Sequence, residues 1–332
     1  MLSGCFVGEK FLIEATFIDL VQDRIPLVEE KIRSQSEGHH PVLGAALSHL
    51  LSSGGKRIRV SVTLISGLML GADADRLITL AASIEALHTA TLVHDDLIDG
   101  ALIRRGIPTL NAQWSPAATV LTGDFIFARA AKLAAETESI QVMRMFAETL
   151  AIIVNGEITQ LFGSHGVASR ENYYTRIYAK TASLFETAAT TAALLSSVNE
   201  DVVGHLRRYG YEIGMAFQIV DDILDFTGEQ ATMGKPVAND LRNGLITLPA
   251  LYYIEAHPED KEIQAILNSN FCDEACLERV LSNIRSSGAI QQSLQEARQA
   301  VERGLVALNN LPDSRERQAL ADLANYIVSR DI

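Results

Sequence analysis

The sequence has little of what several classes of protein require. Only three cysteines occur among its 332 residues. Cys5, Cys272 and Cys276 are too few and too unevenly spaced for a disulfide framework, and no nearby histidine or further cysteine completes a zinc site beside the closer pair. We therefore expect small, buried, reduced thiols, as in proteins of a reducing compartment.

Positive charge is also scarce. The chain has 28 Lys and Arg against 41 Asp and Glu, a formal net charge of -13. Non-specific affinity for nucleic acid comes from basic side chains that neutralise phosphates, so nucleic acid is excluded as a partner. The hydrophobic fraction of 48 % is enough to bury a large core, which excludes a disordered chain.

Unbroken apolar runs are short. Residues 60–72 and 187–199 are interrupted by hydroxyls or glycines and fall below the length of about 18 residues that a membrane span needs. The N-terminal segment is amphipathic and lacks the apolar stretch of a signal peptide. We predict no transmembrane helix and a cytoplasmic protein, with peripheral contact at a membrane as an option for product release.

The periodicity of the sequence is helical. Apolar residues recur at three-to-four spacing, and alternating strand-like runs are rare. We predict an all-α fold of roughly ten helices separated by Gly-, Ser- and Pro-containing joints. The predicted organisation is a single domain over 1–332, with a core over about 40–256 and an outer layer over about 257–332. Four inner segments are apolar around most of their circumference: 77–99, 123–135, 181–198 and 215–226.

An acidic cluster ends the helix predicted for residues 75–100. Asp95 and Asp99 lie one turn apart, about 6 Å along the axis, with Asp96 beside them. Like charges at this spacing cost a few tenths of a kcal/mol, and the C-terminal end of the helix dipole disfavours anions. A positive ligand is therefore expected there.

The same pattern recurs further along the chain. Asp221, Asp222 and Asp225 end a second apolar helix, and Gly228 follows as Gly100 follows the first. Carboxylates are the hard oxygen ligands that Mg²⁺ prefers, and Mg²⁺ usually takes phosphate oxygens and waters as its other ligands. The two motifs together predict a diphosphate held through Mg²⁺ between two acidic helix ends.

Cations lie where a second diphosphate could bind without metal. Two glycines at the start of a predicted helix are followed by Lys56, Arg57 and Arg59. The positive end of the helix dipole disfavours cations at this position, and a bound anion would offset both positive charges. Arg104 and Arg105 follow the first acidic motif, and arginine suits bidentate phosphate contact. Further polar groups occur on or beside apolar stretches, where burial requires partners: His88, Lys180, Thr181, Gln218 and Lys235.

In their order, these motifs resemble those of the trans-type polyprenyl diphosphate synthases. The matching strings are GGKRIR (54–59), HDDLIDGALIRRG (94–106), KT (180–181), FQIVDDILD (217–225) and GKPVANDLRNGLITLP (234–249). The resemblance implies an isoprenoid synthase fold with a deep central cavity, normally a homodimer. It also implies condensation of an allylic diphosphate with isopentenyl diphosphate, with farnesyl or geranylgeranyl diphosphate as the starter.

The resemblance also implies roles for individual residues. Two or three Mg²⁺ ions would be held on the allylic diphosphate by Asp95, Asp96, Asp99, Asp221, Asp222 and Asp225. That diphosphate would also contact Arg104, Lys180 and Lys235, and isopentenyl diphosphate would contact Lys56, Arg59, His88 and Arg105. Thr181 and Gln218 would face the developing carbocation.

Two positions depart from the family pattern. Val60 replaces the proline that usually follows GGKRIR, which alters local rigidity. Leu245 replaces a lysine found in many members, so we expect one cationic contact to the allylic diphosphate to be absent.

Small residues before the first acidic motif predict a long product. Ala90 and Thr91 stand five and four positions before Asp95, where short-chain members carry an aromatic floor, so the growing tail is not stopped there. A helix of some 25 residues could flank about six or seven isoprene units, although Leu87 could end the tunnel sooner. We predict a product of six or more units, the kind used for quinone tails.

Four alternatives stay open at this point. A farnesyl or geranylgeranyl diphosphate synthase would share every motif, and the chain could be the catalytic subunit of a heteromeric synthase. A non-catalytic partner subunit need not keep six aspartates. The fourth alternative is a cyclising or head-to-head enzyme of the same fold; cyclases generally replace the second aspartate motif and lack the GGKRIR and RRG cations.

Overall fold

The structure, a computed structural model, describes residues 17–162, 169–228, 238–267 and 273–330. Almost all regular elements in these ranges are helices, so the prediction of an all-α fold is confirmed. The longer helices are α1 (Ile25–Arg33), α2 (Pro41–Ser52), α3 (Ile58–Met69), α4 (Ala74–Ile98), α6 (Pro116–Glu136), α7 (Ile140–Phe162), α8 (Arg170–Ile177), α9 (Ser183–Leu194), α10 (Glu200–Thr227), α12 (Leu248–Ala256), α14 (Glu274–Ser286), α15 (Ala289–Leu308) and α16 (Arg315–Val328). The shorter elements are a 3₁₀ turn (Ser34–Ser36), strands β1 (Ile103–Arg104) and β2 (Ile107–Pro108), α5 (Leu110–Gln113), a π-helical turn (Tyr178–Ala182), α11 (Asn239–Arg242) and α13 (Lys261–Leu267).

Local sequence explains where the site helices begin and end. The side chain of Asp73 accepts the backbone N–H of Arg76 at the start of α4, and Ser115 caps α6 in the same way ahead of Pro116. Both features are typical N-terminal signals. Gly100 follows α4 with a φ of +62°, a conformation that favours glycine after a helix.

The described residues group into two compact units. The first contains residues 17–150, 184–210 and 307–323. Within it, α4 packs against α1, α3 and above all α6. By length and composition α4 could cross a membrane, but 72 % of its most apolar stretch is buried inside the protein, as a core helix surrounded by other helices should be.

The second unit contains the described residues of 151–183, 211–306 and 324–330. Within it, α12 packs against α8 and α14. The guanidinium Nε of Arg285 on α14 donates to the carbonyl of Phe226 on α10 at 2.8 Å. The prediction of one domain stays a prediction.

Four local predictions need correction. The helix predicted for 75–100 spans Ala74–Ile98, and the segment predicted to be helical over 181–198 opens in the π-helical turn and ends at Leu194. Residues 103–108, where the sequence predicts only a short loop, form a two-stranded hairpin. Strands of two residues leave no alternating pattern in the sequence. Cys276 is half-buried and disulfide-bonded, so the expectation of a buried, reduced thiol is wrong for it.

At Gly210 the backbone of α10 lies close to the backbone of α9. A Cβ at this position would lie 2.6 Å from the carbonyl oxygen of Phe185 and 2.8 Å from the Cα of Glu186. Since both are backbone atoms, Gly210→Ala is expected to lower the free energy of unfolding by about 1–3 kcal/mol. Gly204→Ala in the same helix meets nothing within 4 Å and should gain up to about 1 kcal/mol. Urea unfolding of both variants checks this, and equal effects would contradict the packing argument.

Candidate active site

The first acidic motif lies at the C-terminal end of α4. Asp95 is half-buried, Asp96 is buried and Asp99 is exposed. Nε of Arg104 donates to Oδ1 of Asp96 at 2.7 Å. The structure thus brings together one predicted metal ligand and one predicted diphosphate contact, and the arginine offsets part of the negative charge at this helix end.

The hairpin turn sets the position of the second arginine. Arg105 and Gly106 are its two central residues, with φ of +50° and +79°. Positive φ at both central positions is the pattern of a type I′ turn, which matches the twist of the flanking strands. A left-handed conformation is uncommon for a residue other than glycine, and such strain collects at functional sites.

The glycine loop before α3 meets this hairpin. Nη1 of Arg105 donates to the carbonyl of Gly54, and a Cβ on Gly55 would lie 2.5 Å from the same nitrogen. Position 55 favours glycine because its φ is +137°, and a Cβ there would also displace the end of the Arg105 side chain. GGKRIR and RRG, separate in the sequence, form one cationic surface.

Arg59 and His88 complete that surface. Nη1 of Arg59 donates to Nε2 of His88 at 3.3 Å, and the guanidinium lies 4.6 Å from the ring centroid of Phe185. Because arginine can only donate, Nε2 is the acceptor and the neutral ring carries its proton on Nδ1.

His88 is held neutral by its surroundings. Burial lowers its pKa well below the ordinary value of 6.5, and the charges of Arg59, Arg105, Arg104 and Arg57 lower it further. The ring therefore offers a hydrogen bond to an anion without adding charge, and the arginines supply the electrostatic attraction.

The second acidic motif contains a continuous hydrogen-bond network. Asp222 is buried, and its two oxygens accept from the Tyr173 hydroxyl at 2.7 Å and from Nε2 of Gln218 at 2.8 Å. Oε1 of Gln218 in turn accepts from Thr181 at 2.6 Å. The predicted residues Thr181, Gln218 and Asp222 therefore share one network, whose bonds fix the orientation of the glutamine amide.

Asp222 carries an unfavourable charge in this setting. Burial raises its pKa to about 7, and the nearby charge of Asp240 raises it too, while the hydrogen bonds from Gln218 and Tyr173 act in the opposite direction. A bound cation would favour the ionised form. This carboxylate therefore fits a site for a divalent metal.

The other two aspartates of this motif have different partners. Oδ1 of Asp221 lies 2.8 Å from Nη1 of Arg330 near the C-terminus. The carboxylate of Asp225 accepts the backbone N–H groups of Asn239 and Asp240, each at 3.2 Å. Asp225 thus also holds the segment that carries Asp240.

The remaining predicted contacts are placed as follows. Lys56 and Lys180 are exposed and Leu245 is half-buried. Lys235 lies outside the described residues. Within the described ranges no three His, Cys, Asp or Glu side chains are close enough together to hold a metal ion alone. Binding of Mg²⁺ by the six aspartates stays a prediction.

The residues predicted to border the product tail lie on two faces of α4. Ser83 bonds to the carbonyl of Ala130 on α6, and the His94 ring contacts that of Phe127 on α6. Leu87 and Ala90, both completely buried, share this face by helical spacing. Thr91 is only partly buried and lies nearer the face of His88 and Asp95.

Sequence reasoning missed two residues of the site, Tyr173 and Arg330. Tyr173 is 49 positions from Asp222 in the chain, and Arg330 is 109 positions from Asp221. No local motif marks either residue. A buried tyrosine needs a partner for its hydroxyl, but the sequence does not say which.

Tyr173→Phe removes one hydrogen bond that favours the ionised form of Asp222. The pKa of this carboxyl in the metal-free protein should therefore rise further, so protons compete better with Mg²⁺ for it. At acidic pH and a fixed, subsaturating Mg²⁺ concentration, kcat should fall by about 10-fold, since a hydrogen bond to a charged group is worth about 1.5–3 kcal/mol. A kcat profile between pH 5.5 and 8.5 measures this, with its acidic limb moved to higher pH. Tyr174→Phe is the matched control, because its hydroxyl donates to Glu296. Coincident profiles for the two variants would refute the role of Tyr173.

Comparison with known proteins gives consistent results. The family model described as polyprenyl synthetase matches residues 40–284. The chain is 34 % identical over 322 residues to heptaprenyl diphosphate synthase component 2 of Bacillus subtilis (strain 168), covering 97 % of this chain and 91 % of the relative. It is 36 % identical over 285 residues to octaprenyl diphosphate synthase of Escherichia coli (strain K12), covering 85 % and 88 %.

The fold of this chain is also similar to that of a solved structure. The polyprenyl synthase from Caulobacter crescentus CB15, crystallised with calcium and isoprenyl diphosphate, superposes with a TM-score of 0.89. Its sequence is 35 % identical, and the match covers 96 % of this chain and 98 % of that one. Motif order, helical architecture and overall sequence therefore agree with one another.

Proposed function

The chain belongs to the polyprenyl synthetase family and is a prenyltransferase with the isoprenoid synthase fold, and from this premise we propose which substrates, metal and side chains it uses. The allylic substrate is farnesyl or geranylgeranyl diphosphate, and isopentenyl diphosphate is added in successive head-to-tail condensations. The product is a medium- to long-chain polyprenyl diphosphate, in keeping with the heptaprenyl and octaprenyl synthases among the relatives.

One observation carries the assignment of the isopentenyl diphosphate site. The glycine loop, the hairpin turn and α4 bring Arg59, Arg105 and His88 together in the first unit. The arginines supply charge and forked donors, and the neutral imidazole supplies a further polar contact. This set suits a diphosphate that binds without a metal ion.

Mg²⁺ is the proposed cofactor, as two or three ions bound with the allylic diphosphate. Asp95, Asp96, Asp99, Asp221, Asp222 and Asp225 would hold it, and the raised pKa of Asp222 fits a carboxylate that needs a cation. When bound, Mg²⁺ supplies Lewis-acid stabilisation of the departing diphosphate.

The chain's own residues shape the rest of the reaction. Lys180, Arg104 and Lys235 are proposed to stabilise the leaving diphosphate electrostatically. Thr181 and Gln218 form a fixed pair of dipoles, which we assign to the developing allylic cation. The cation is then attacked by the isopentenyl double bond, and the proton lost afterwards goes to the departed diphosphate.

The assembly that we propose is a homodimer. Within the second unit, α7 exposes a stripe of apolar side chains at helical spacing: Val154 (43 %), Ile158 (48 %), Leu161 (54 %) and Phe162 (86 %). Contiguous exposed apolar surface of this kind marks contact with another molecule. A heteromer is the alternative, and sedimentation of the purified chain alone distinguishes the two. Cytoplasmic location, with product handed to a membrane, belongs to the same proposal.

A condensation assay tests the proposed function. Purified protein with Mg²⁺, farnesyl diphosphate and labelled isopentenyl diphosphate should convert label into acid-labile allylic product, with one diphosphate released per condensation. Failure alone but recovery with a second polypeptide would indicate a heteromeric enzyme. Cyclised or head-to-head products would contradict the proposal.

A further inference from the structure

Arg57 adopts a backbone conformation that its residue type disfavours. Its φ of 46° and ψ of 36° place it in the left-handed region immediately before α3. A non-glycine residue in a sparsely populated region costs about 1–3 kcal/mol and persists only when its surroundings hold it. Arg57 separates Lys56 from Arg59, so its conformation sets how these two cations project from the chain.

The side chain of Arg57 is held from three directions. Nε and Nη2 donate to Oε1 of Glu29 at 3.1 and 2.9 Å, and Nη1 donates to Oε1 of Glu85 at 2.6 Å. Nη2 also donates to the carbonyl of Leu51 at 3.0 Å. Only 10 % of the Arg57 side chain and 6 % of the Glu85 side chain are exposed. Charge-assisted bonds with so little solvent contact are stronger and more directional than surface ion pairs.

These partners link the loop to the helices around the site. Glu29 lies on α1, Leu51 on α2 and Glu85 on α4. Glu85 is three residues before His88, close to one turn away. The helix that presents His88 therefore also holds Arg57, which joins Lys56 in the loop to Arg59 in the first turn of α3.

We propose that Arg57, Glu29 and Glu85 form a positioning clamp that sets the geometry of the isopentenyl diphosphate site. The clamp rests on the proposed function of Lys56, Arg59, Arg105 and His88. Arg57 itself is directed at two carboxylates, so its role is to hold the loop conformation. Loosening the clamp lets the cations spread over several positions and weakens binding of a diphosphate that needs all of them together.

Binding of isopentenyl diphosphate alone tests the clamp. Without an allylic partner and metal no condensation takes place, so calorimetry reports the dissociation constant directly. Glu85→Gln keeps the shape of the side chain and removes the charge. It is expected to raise this constant by about 10-fold or more, since small misplacements of positioning groups have large effects. In turnover, KM for isopentenyl diphosphate should rise while KM for the allylic substrate and kcat at saturation stay near wild type.

Two further variants keep the test decisive. Glu29→Gln removes the charge of a more exposed carboxylate, so it can replace Glu85→Gln in the binding test if that variant folds poorly. Arg57→Gly restores easy access to the left-handed conformation but removes the guanidinium, and it should lose affinity as well. Wild-type affinity in Arg57→Gly would mean that backbone conformation alone sets the site, which would overturn the clamp.

Glu212→Gln is the matched control for loss of a buried charge. Glu212 is 1 % exposed and pairs with Arg303 at 2.9 Å. Its loss should lower the melting temperature without changing the dissociation constant for isopentenyl diphosphate. Unchanged affinity in both Glu85→Gln and Glu29→Gln, with wild-type protein active, would overturn the clamp alone. Inactive wild-type protein that binds no isopentenyl diphosphate would instead reject the proposed function.

Discussion

Asp222→Asn is expected to lower kcat by about 10²- to 10³-fold, the size of effect seen when one preorganised electrostatic group is removed. The amide cannot act as an anionic ligand, so the second acidic motif loses a charge that we assign to Mg²⁺ binding. The substitution is nearly isosteric, and the network with Gln218 and Tyr173 can be partly retained. Steady-state kinetics at saturating Mg²⁺ measures the loss.

The same substitution should not destabilise the metal-free protein at pH 8. Burial raises the pKa of Asp222 from 3.8 to about 7, so the folded state binds its proton more tightly than the unfolded state. Protonated Asp222 therefore stabilises the folded protein. This contribution is fully present below the pKa of the carboxyl in the unfolded chain and is lost as the pH rises through its pKa in the folded protein. Asparagine removes that dependence. A thermal melt in EDTA should therefore give a melting temperature at pH 8 no lower than that of wild type.

Asp201→Asn is the matched control, since it removes the same charge from an exposed position in the first turn of α10. It should leave kcat unchanged. The account would be contradicted if Asp222→Asn kept wild-type activity, or if it melted well below wild type in EDTA at pH 8.

The second large effect concerns product length. Ala90→Phe places an aromatic ring where short-chain members of the family carry one, and it should shorten the product from six or more isoprene units to farnesyl or geranylgeranyl length. Ala90 is completely buried on the face of α4 that we assign to the growing tail, so the larger ring is expected to displace the end of that tail. Chromatography of the dephosphorylated products measures the length.

The two faces of α4 refine this test. Thr91→Phe introduces the same ring nearer the face of His88 and Asp95, whereas Thr91→Val changes the side chain without adding volume. If only Thr91→Phe shortens the product, the tail runs along the face of Thr91. Unchanged length in both aromatic variants would reject the assignment of these α4 residues to the border of the tail. Circular dichroism and a retained first condensation show that each variant is folded.

The sequence was informative wherever function depends on local pattern. The acidic motifs were correctly predicted to end long helices. This was possible because the apolar periodicity and the following Gly100 lie within one stretch of chain. The left-handed arginines at 57 and 105 were not predictable, since nothing local indicates that an arginine occupies a position usually taken by glycine. Their conformations are held by partners distant in the chain, such as Glu85 and Gly54.

The same distinction explains the network around Asp222. Helical spacing relates Gln218 to Asp222 directly, so that contact follows from the sequence. Tyr173 and Arg330 reach the motif from other elements, and their contribution depends on tertiary packing. For the same reason, sequence reasoning placed Arg104 on a diphosphate but did not foresee its bond to Asp96.

Crystals soaked with Mn²⁺ and an unreactive farnesyl thiodiphosphate would test the central claim most directly, because anomalous scattering locates the metal. We expect metal peaks bound by oxygens of both acidic motifs and of the diphosphate, with the prenyl tail running along α4. Metal bound to one motif only, or a diphosphate seated away from Asp95 and Asp222, would contradict it.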